Sequence, residues 1–171
     1  MTNSDSRVAV YTGSFDPITL GHMNVISRSS RLVDRLIVGI GINVEKLELF
    51  QLQERVELVS RATQRFGNVE VRTFGGLAVN FVRQCGARVM IRGVRPLTDI
   101  AAEFTMQMAN RRLDPGIETV FLMADEEFAH VSSSLLKQIA PLANDAMLLQ
   151  FIPAEILPAL RQKIPGPDSA G

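Results

Sequence analysis

Several residues that suit phosphate chemistry come directly after apolar runs of the chain. The stretch YTGSFDPITLGH (Tyr11–His22) combines a rigid turn, built from glycine and Asp-Pro, with a histidine at its end. Lys46, Arg92 and Arg95 follow later apolar runs. Cations, hydroxyls and the free N–H groups of helix starts are the groups that bind phosphates. The sequence therefore predicts a site for a phosphorylated ligand, provided that the fold brings these residues into one crevice.

Five apolar runs, rich in β-branched residues, alternate with helical patterns and indicate the elements that carry these residues. Near-continuous hydrophobicity fits strands that are covered on both faces. The alternation predicts a Rossmann-like, doubly wound α/β domain with a five-stranded parallel sheet. Pro158 is expected either to break the last helix or to open a new helical turn. Strands are predicted at 7–12, 35–42, 69–74, 88–92 and 118–123, and helices at 22–33, 52–66, 77–85, 98–113, 133–143 and 153–163.

The composition argues against several classes of protein. A chain of 171 residues suits one domain, predicted at 7–164, with a flexible start at 1–6 and a disordered tail at 165–171. Basic and acidic residues number 18 each, which argues against a broad nucleic-acid-binding surface. A single cysteine, Cys85, excludes an intrachain disulfide and a cysteine zinc site. Neither a membrane-spanning run nor a signal peptide is found, so we expect a cytoplasmic protein.

Each candidate residue also has a purely structural interpretation. His22 could merely start a helix, Lys46 could be a solvated loop residue, and Ser132–Ser134 form a good helix cap before LLKQIA. GIGINV (Gly39–Val44) lacks the third glycine of a dinucleotide-binding turn and lies within a strand, so we do not expect that type of site. Polar, basic or glycine-rich residues follow all five strands, however, and this coincidence favours a functional interpretation.

Three blocks of the chain, in order, resemble those of one enzyme family. GSFDPITLGH resembles the signature of the HxGH class of nucleotidylyltransferases, with Thr19 where many members carry the first histidine. IRGVRPLTDIAAEFTMQMANRRL (Ile91–Leu113) and VSSSLLK (Val131–Lys137) resemble the second and third blocks of bacterial phosphopantetheine adenylyltransferases. Their spacing also matches, and the likeness extends over residues 7–152. Three ordered blocks are far more specific than one.

The resemblance implies a reaction in which the adenylyl group of ATP is transferred to 4′-phosphopantetheine by in-line attack, without a covalent intermediate. The products are dephospho-coenzyme A and pyrophosphate, in the penultimate step of coenzyme A biosynthesis. The family further implies Mg²⁺ held mainly by ATP phosphates and water, a homohexamer, and feedback by coenzyme A. The alternatives are a related nucleotidylyltransferase acting on another acceptor such as nicotinamide mononucleotide, a non-catalytic nucleotide sensor, or an interaction module that uses the FTMQMAN helix.

The same resemblance assigns site residues to three roles, with no protein ligand to a metal. The catalytic residues are His22, as the transition-state stabiliser, Lys46 and Arg95. The ATP-binding residues are Ser14, Phe15, His22, Gly93, Val94, Arg95, Glu103, Phe128, Ala129, His130, Val131, Ser132, Ser133 and Ser134. The phosphopantetheine-binding residues are Ser14, Lys46, Leu77, Ala78 and Arg92.

Overall fold

The computed structural model describes residues 6–42, 47–95 and 99–167. Within these ranges five strands alternate with α-helices, and three further α-helices follow the last strand. The strands are β1 (Val8–Gly13), β2 (Arg35–Gly41), β3 (Val69–Phe74), β4 (Val89–Val94) and β5 (Glu118–Met123). The α-helices are α1 (Leu20–Ser30), α2 (Leu52–Thr63), α3 (Ala78–Gln84), α4 (Ile100–Leu113), α5 (Ser133–Ile139), α6 (Asp145–Leu148) and α7 (Leu157–Lys163).

The five strands form one parallel sheet in the order β3-β2-β1-β4-β5. β1 is therefore central, and the chain moves to its other side after β3. In doubly wound sheets, ligands bind at the carboxyl ends of the strands beside the point where the strand order reverses. That point lies between β1 and β4 in this chain. The predicted fold class is confirmed.

Alternate residues of the central strands face two hydrophobic cores. Val10 faces the core that includes α3, together with its register partners Ile37 on β2 and Met90 on β4. Ala9 and Tyr11 face the opposite core, which includes residues of α1, α2 and α5–α7. Because side chains alternate along a strand, burial on both faces requires an almost continuous apolar run. This is the physical reason that the strands were recognisable in the sequence.

The C-terminal region differs from the prediction in detail. α5 ends at Ile139 rather than 143, and the unpredicted helix α6 follows, with the Asn144 side chain accepting a hydrogen bond from the N–H of Met147 at 3.0 Å. Four residues are too few to show a helical period. Pro158 lies in the first turn of α7, where its missing N–H costs no helical bond, so it opens a new turn. Within the described ranges, no helix is long and apolar enough to cross a membrane.

Candidate active site

Two adjoining cavities open at the carboxyl edge of the sheet. Their volumes are about 320 Å³ and about 520 Å³, and we call them the first and the second cavity. The first lies between β1, β4, α1 and the segment before α5, and the second between β1, β2, α3 and α4. Two ligands bound in these cavities would meet at a shared wall. That wall consists of Thr12, Gly13, Ser14, Arg92 and Glu103.

Most of the residues predicted from the sequence line these cavities. Phe15, Ala129 and His130 are described but do not line either one, and Lys46 lies outside the described residues. His130 is exposed, and its ring packs edge-on against Phe151 at 5.6 Å between centroids. The predicted residues in the first cavity are Ser14, His22, Arg92, Gly93, Val94, Arg95, Glu103, Phe128, Val131, Ser132, Ser133 and Ser134. Those in the second are Ser14, Leu77, Ala78, Arg92 and Glu103.

The loop after β1 has a backbone conformation that side-chain packing must hold in place. Phe15 has a φ of +48°, in the left-handed region that is costly for residues other than glycine. Its ring is 1% exposed and packs edge-on against Tyr11 and His22, at centroid distances of 5.4 and 5.0 Å. Phe15 therefore supports the cavity wall from beneath with its side chain, while its backbone forms part of the turn after Ser14.

The next residue of this loop, Asp16, connects it to two distant segments. Its buried carboxylate accepts hydrogen bonds from the N–H groups of Leu49 and Phe50, both at 2.8 Å. It also accepts one from Nζ of Lys137 on α5 at 2.7 Å. A buried carboxylate must be paired in this way, since an unpaired charge in the interior is very costly. Neither Asp16 nor Lys137 was predicted to have this role.

His22 takes part in the hydrogen bonds that begin α1. The Oγ1 of Thr19 accepts from the N–H of His22 at 3.4 Å, and Nδ1 of His22 accepts from the N–H of Thr19 at 3.1 Å. A backbone N–H can only donate, so Nδ1 carries the lone pair and the neutral ring holds its proton on Nε2. The cap thus leaves Nε2–H as the hydrogen-bond donor of a side chain that lines the first cavity.

The surroundings of His22 also disfavour its charged form. Desolvation, followed by the positive charges of Arg95 and Arg92, lowers the pKa of His22 from 6.5 to about 4. The N-terminal end of a helix acts in the same direction, because its dipole repels a cation. At neutral pH the ring is therefore a neutral hydrogen-bond donor rather than an imidazolium.

Two arginines of the first cavity are each held by a carboxylate near the start of α4. Nε and Nη2 of Arg92 donate to Glu103 at 2.8 and 2.6 Å, and Nη1 donates to the carbonyl and hydroxyl oxygens of Thr12. Nε and Nη2 of Arg95 donate to Asp99 at 2.7 and 2.6 Å. These bidentate pairs fix the planes of both guanidinium groups at the cavity. A phosphate entering the site would compete with the two carboxylates or join them.

The helix α4 contributes one face to the second cavity. Met106, Gln107 and Asn110 line it together with Glu103, at helical spacings of three and four residues. None of the residues of α4, all of which lie in the described ranges, is buried. The FTMQMAN stretch is therefore not part of the core of this chain, and a role in subunit contact or in another interaction stays open. The i, i+3, i+4, i+7 spacing beginning at Glu103 is the signal that could have indicated this face.

The three serines at the start of α5, with Ser132 as its cap and Ser133 and Ser134 as its first two residues, have different surroundings. Oγ of Ser132 accepts from the N–H of Leu135 at 3.1 Å, which makes Ser132 the cap of α5. Oγ of Ser133 donates to the carbonyl of Pro17 at 2.8 Å and so connects α5 to the loop after β1. Ser134 is exposed, and all three line the first cavity. Capping, proposed as a purely structural role, is thus compatible with a position in the site.

Comparisons with known proteins agree on one family. Residues 10–139 match the model of the cytidylyltransferase-like family. The chain is 64% identical over 161 residues to the phosphopantetheine adenylyltransferase of Rhodopirellula baltica, with 94% of this chain and 90% of that protein covered. It is 44% identical over 158 residues to the Clostridium botulinum (strain Hall) protein of the same name, with 92% and 95% covered.

Solved structures support the fold at low sequence identity. A Vibrio parahaemolyticus protein described as a nicotinate-nucleotide adenylyltransferase has a TM-score of 0.67 at 14% identity, and 92% of each chain is covered. The nicotinic acid mononucleotide adenylyltransferase of Plasmodium falciparum has a TM-score of 0.56 at 13% identity, with 92% of this chain and 95% of that chain covered. At these identities the likeness concerns the fold alone.

The protonation state of His22 can be measured directly. We expect ¹⁵N NMR of the imidazole to show the neutral Nε2–H tautomer at pH 7 and a titration midpoint near 4. Because the unfolded chain binds this proton with a pKa of about 6.5, the contribution of His22 to stability is complete above that pH and is lost as the pH falls towards 4. A His130→Gln variant identifies the signals, since the chain contains two histidines. A midpoint at or above about 6 would contradict the capped, desolvated ring.

Proposed function

The chain belongs to the phosphopantetheine adenylyltransferases of the cytidylyltransferase-like family, and from this premise we propose that its two cavities hold the two substrates of that reaction. The family indicated by the three sequence blocks is confirmed. In the proposed arrangement ATP occupies the first cavity and 4′-phosphopantetheine the second. The adenylyl group passes across their shared wall, and dephospho-coenzyme A and pyrophosphate leave.

The shared wall is the observation that carries this proposal. Ser14 and Arg92 line both cavities, so a group transferred between two bound ligands would pass beside them. The first cavity contains hydroxyls and arginines, which suit a triphosphate. The second adds Leu77, Ala78 and Asn110, which suit an arm with apolar segments and amide groups. The different linings match the different chemistry of the two substrates.

The reaction needs no general base. The attacking group is a phosphate oxygen, which is already ionised near neutral pH because the second pKa of a phosphate monoester is about 6. The difficulty is to bring two anions together and to stabilise the charge on the attacked α-phosphate. We assign that stabilisation to the Nε2–H of His22 and to Arg95, with Lys46 as the third catalytic residue by sequence. Positioning and electrostatics then supply most of the rate.

The other predicted site residues are assigned to a substrate according to the cavity beside which they lie. In the first cavity we assign Gly93, Val94 and Glu103 to the nucleotide, together with the backbone of Phe15 beneath it. The segment 128–134 would hold adenine and the outer phosphates, with Ser132 to Ser134 facing the cavity. In the second cavity Leu77 and Ala78 would contact the pantetheine arm, and Arg92 would hold its phosphate end at the shared wall.

Magnesium fits this site as a companion of ATP. Among the described residues, no group of three His, Cys, Asp or Glu side chains could hold a metal ion. The carboxylates near the first cavity, Asp99 and Glu103, are paired with Arg95 and Arg92. Mg²⁺ usually retains water and binds substrate phosphates, so it would be held mainly by ATP and would offset phosphate charge. A cytoplasmic location stays a prediction of the sequence.

The acceptor can be tested by measuring pyrophosphate release with ATP and Mg²⁺. We expect release with 4′-phosphopantetheine and none with nicotinamide mononucleotide or nicotinic acid mononucleotide, because only the first has an arm that fills the second cavity. Release with a mononucleotide instead would overturn the assignment of the second cavity to 4′-phosphopantetheine. The proposed role of His22 at the α-phosphate would not be affected. ATP binding without release with any acceptor would favour the nucleotide sensor.

His22→Ala tests the proposed transition-state donor. Removing one such donor costs about 2.7–4 kcal/mol of barrier, so we expect kcat to fall about 10²–10³-fold while ATP still binds. The measurement is pyrophosphate release at saturating substrates, paired with ATP binding by calorimetry. Asn144→Ala is the matched control, because it also removes a side-chain helix cap, the 3.0 Å bond to the N–H of Met147, and Asn144 does not line either cavity. A kcat for His22→Ala equal to that of the control would remove His22 from the mechanism.

We also propose that the chain forms a homo-oligomer through α4 and β5, and the family resemblance makes a hexamer the expected form. Phe104 and Met108 of α4 are 52% and 66% exposed, and Met123 of β5 is 53% exposed. The ring of Phe104 stacks on Phe121 of β5 at 5.3 Å, so the two elements form one apolar surface. Contiguous exposed apolar surfaces of this kind mark protein contacts. Feedback by coenzyme A stays a prediction from the family.

The surface can be tested with Phe104→Asp combined with Met108→Asp. A charge on each residue should oppose burial against another subunit, so we expect the mass from light scattering to fall from six times 18.8 kDa towards a smaller species. Leu142→Asp is the control, since Leu142 is 81% exposed and lies outside α4 and β5. An unchanged mass for the double variant would place the subunit contact elsewhere.

A further inference from the structure

Arg55 is a buried cation in the first turn of α2. Its side chain is 1% exposed, although Leu58, Val59 and Ala62 on the same helix form an ordinary apolar core face. Its Nε is buried without a hydrogen-bond partner among the described residues. Burying a guanidinium costs free energy that an apolar side chain at this position would avoid. Core packing alone therefore does not account for an arginine at this position.

The guanidinium of Arg55 joins three segments at the carboxyl edge of the sheet. Nη1 donates to the carbonyl oxygen of Ser14 at 3.0 Å and to that of Gly41 at 3.2 Å. Nη2 donates to the Glu48 carboxylate at 2.6 Å. Ser14 lines both cavities and Gly41 lines the second, whereas Arg55 lines neither. Arg55 thus holds the walls of the site from behind, without reaching a ligand.

The bond to Ser14 determines the orientation of one peptide plane. In a trans peptide the C=O and the following N–H point in opposite directions. Because the carbonyl of Ser14 is directed at Arg55, the N–H of Phe15 is directed away from it. Phe15 has the unfavourable φ of +48°, so this plane needs external support. Arg55 supplies that support to the Phe15 backbone, which we assign to the nucleotide.

The other two bonds of Arg55, to Gly41 and to Glu48, lie on either side of a second segment of the chain. Gly41 ends β2, and Glu48 lies shortly before α2. Lys46, the remaining predicted catalytic residue, lies between these two positions in the sequence. Arg55 therefore connects the backbone after β1 with both sides of the stretch that contains Lys46.

We propose that Arg55 is a positioning residue for adenylyl transfer, because one buried guanidinium sets the loop after β1 relative to the end of β2 and to Glu48. This inference rests on the proposed function. Displacing catalytic groups by about 1 Å can cost about 10²-fold in rate, so a residue remote from the ligands can affect kcat strongly.

The test compares Arg55→Met with a matched variant elsewhere. Arg161 on α7 makes the same kinds of bonds, donating to the carbonyls of Ala140 and Ala143 and to the Asp145 carboxylate. It does not line either cavity. Both substitutions leave carbonyl and carboxylate groups unpaired, so both should lower the melting temperature. We expect only Arg55→Met to lower kcat, by about tenfold or more per folded molecule, with a smaller change in the KM for ATP.

Each outcome has a separate meaning. A wild-type protein that releases no pyrophosphate with 4′-phosphopantetheine would overturn the proposed function. An active wild type with Arg55→Met and Arg161→Met at equal kcat would leave the function intact and overturn the positioning role. If Arg55→Met does not fold, Arg55→Lys replaces it, because lysine keeps the charge but has no planar fork to reach all three acceptors. A kcat for Arg55→Lys within about twofold of Arg161→Lys would also overturn the role.

Discussion

The carboxyl edge of the sheet depends on one buried carboxylate, that of Asp16. It accepts hydrogen bonds from the N–H groups of Leu49 and Phe50 and from Nζ of Lys137. Through these bonds the loop after the central strand is joined to the chain leading into α2 and to α5. This anchor acts together with the bond from Arg55 to the Ser14 carbonyl and with the packing of the Phe15 ring, so the loop is held at several points. An enzyme that works by positioning charges needs such rigidity more than it needs reactive side chains.

The same local interactions serve both folding and chemistry at α1. Thr19 and His22 satisfy each other's backbone N–H groups, as in a capping box. That exchange also determines the tautomer of His22, whereas burial of the ring and then the charges of Arg95 and Arg92 keep its pKa low. Thr19 occupies the position at which many members of the wider HxGH class carry a histidine, and its hydroxyl oxygen accepts the cap bond from the N–H of His22. A structural and a functional interpretation of His22 are thus not alternatives.

The balance of charge in the site explains why the net charge of the chain gave no sign of a phosphate site. Arg92 and Arg95 are each paired with a carboxylate from the start of α4, so the positive charges of the site are compensated by charges within the protein. α4 therefore combines two tasks on different faces. Glu103 and Asn110 face the cavities, whereas Phe104 and Met108 are exposed. In the proposed oligomer, α4 would contact another subunit through Phe104 and Met108, while Glu103 on the same helix orients Arg92.

The sequence by itself determined the strands, their order along the chain, the family, and the position of residues such as His22 and Arg92 after strands. These features are local: buried strands need apolar runs, helices need caps, and the three blocks are contiguous. Only the tertiary structure decided that Arg92 belongs to a wall shared by two cavities, or that Arg55 turns inward from an apolar helix face. Arg55 and Ser14 are 41 residues apart, and Lys137 and Asp16 are 121 apart. Neither hydrophobic periodicity nor a helix-capping residue encodes such pairs, because the two residues meet only after the sheet has brought distant loops to one edge.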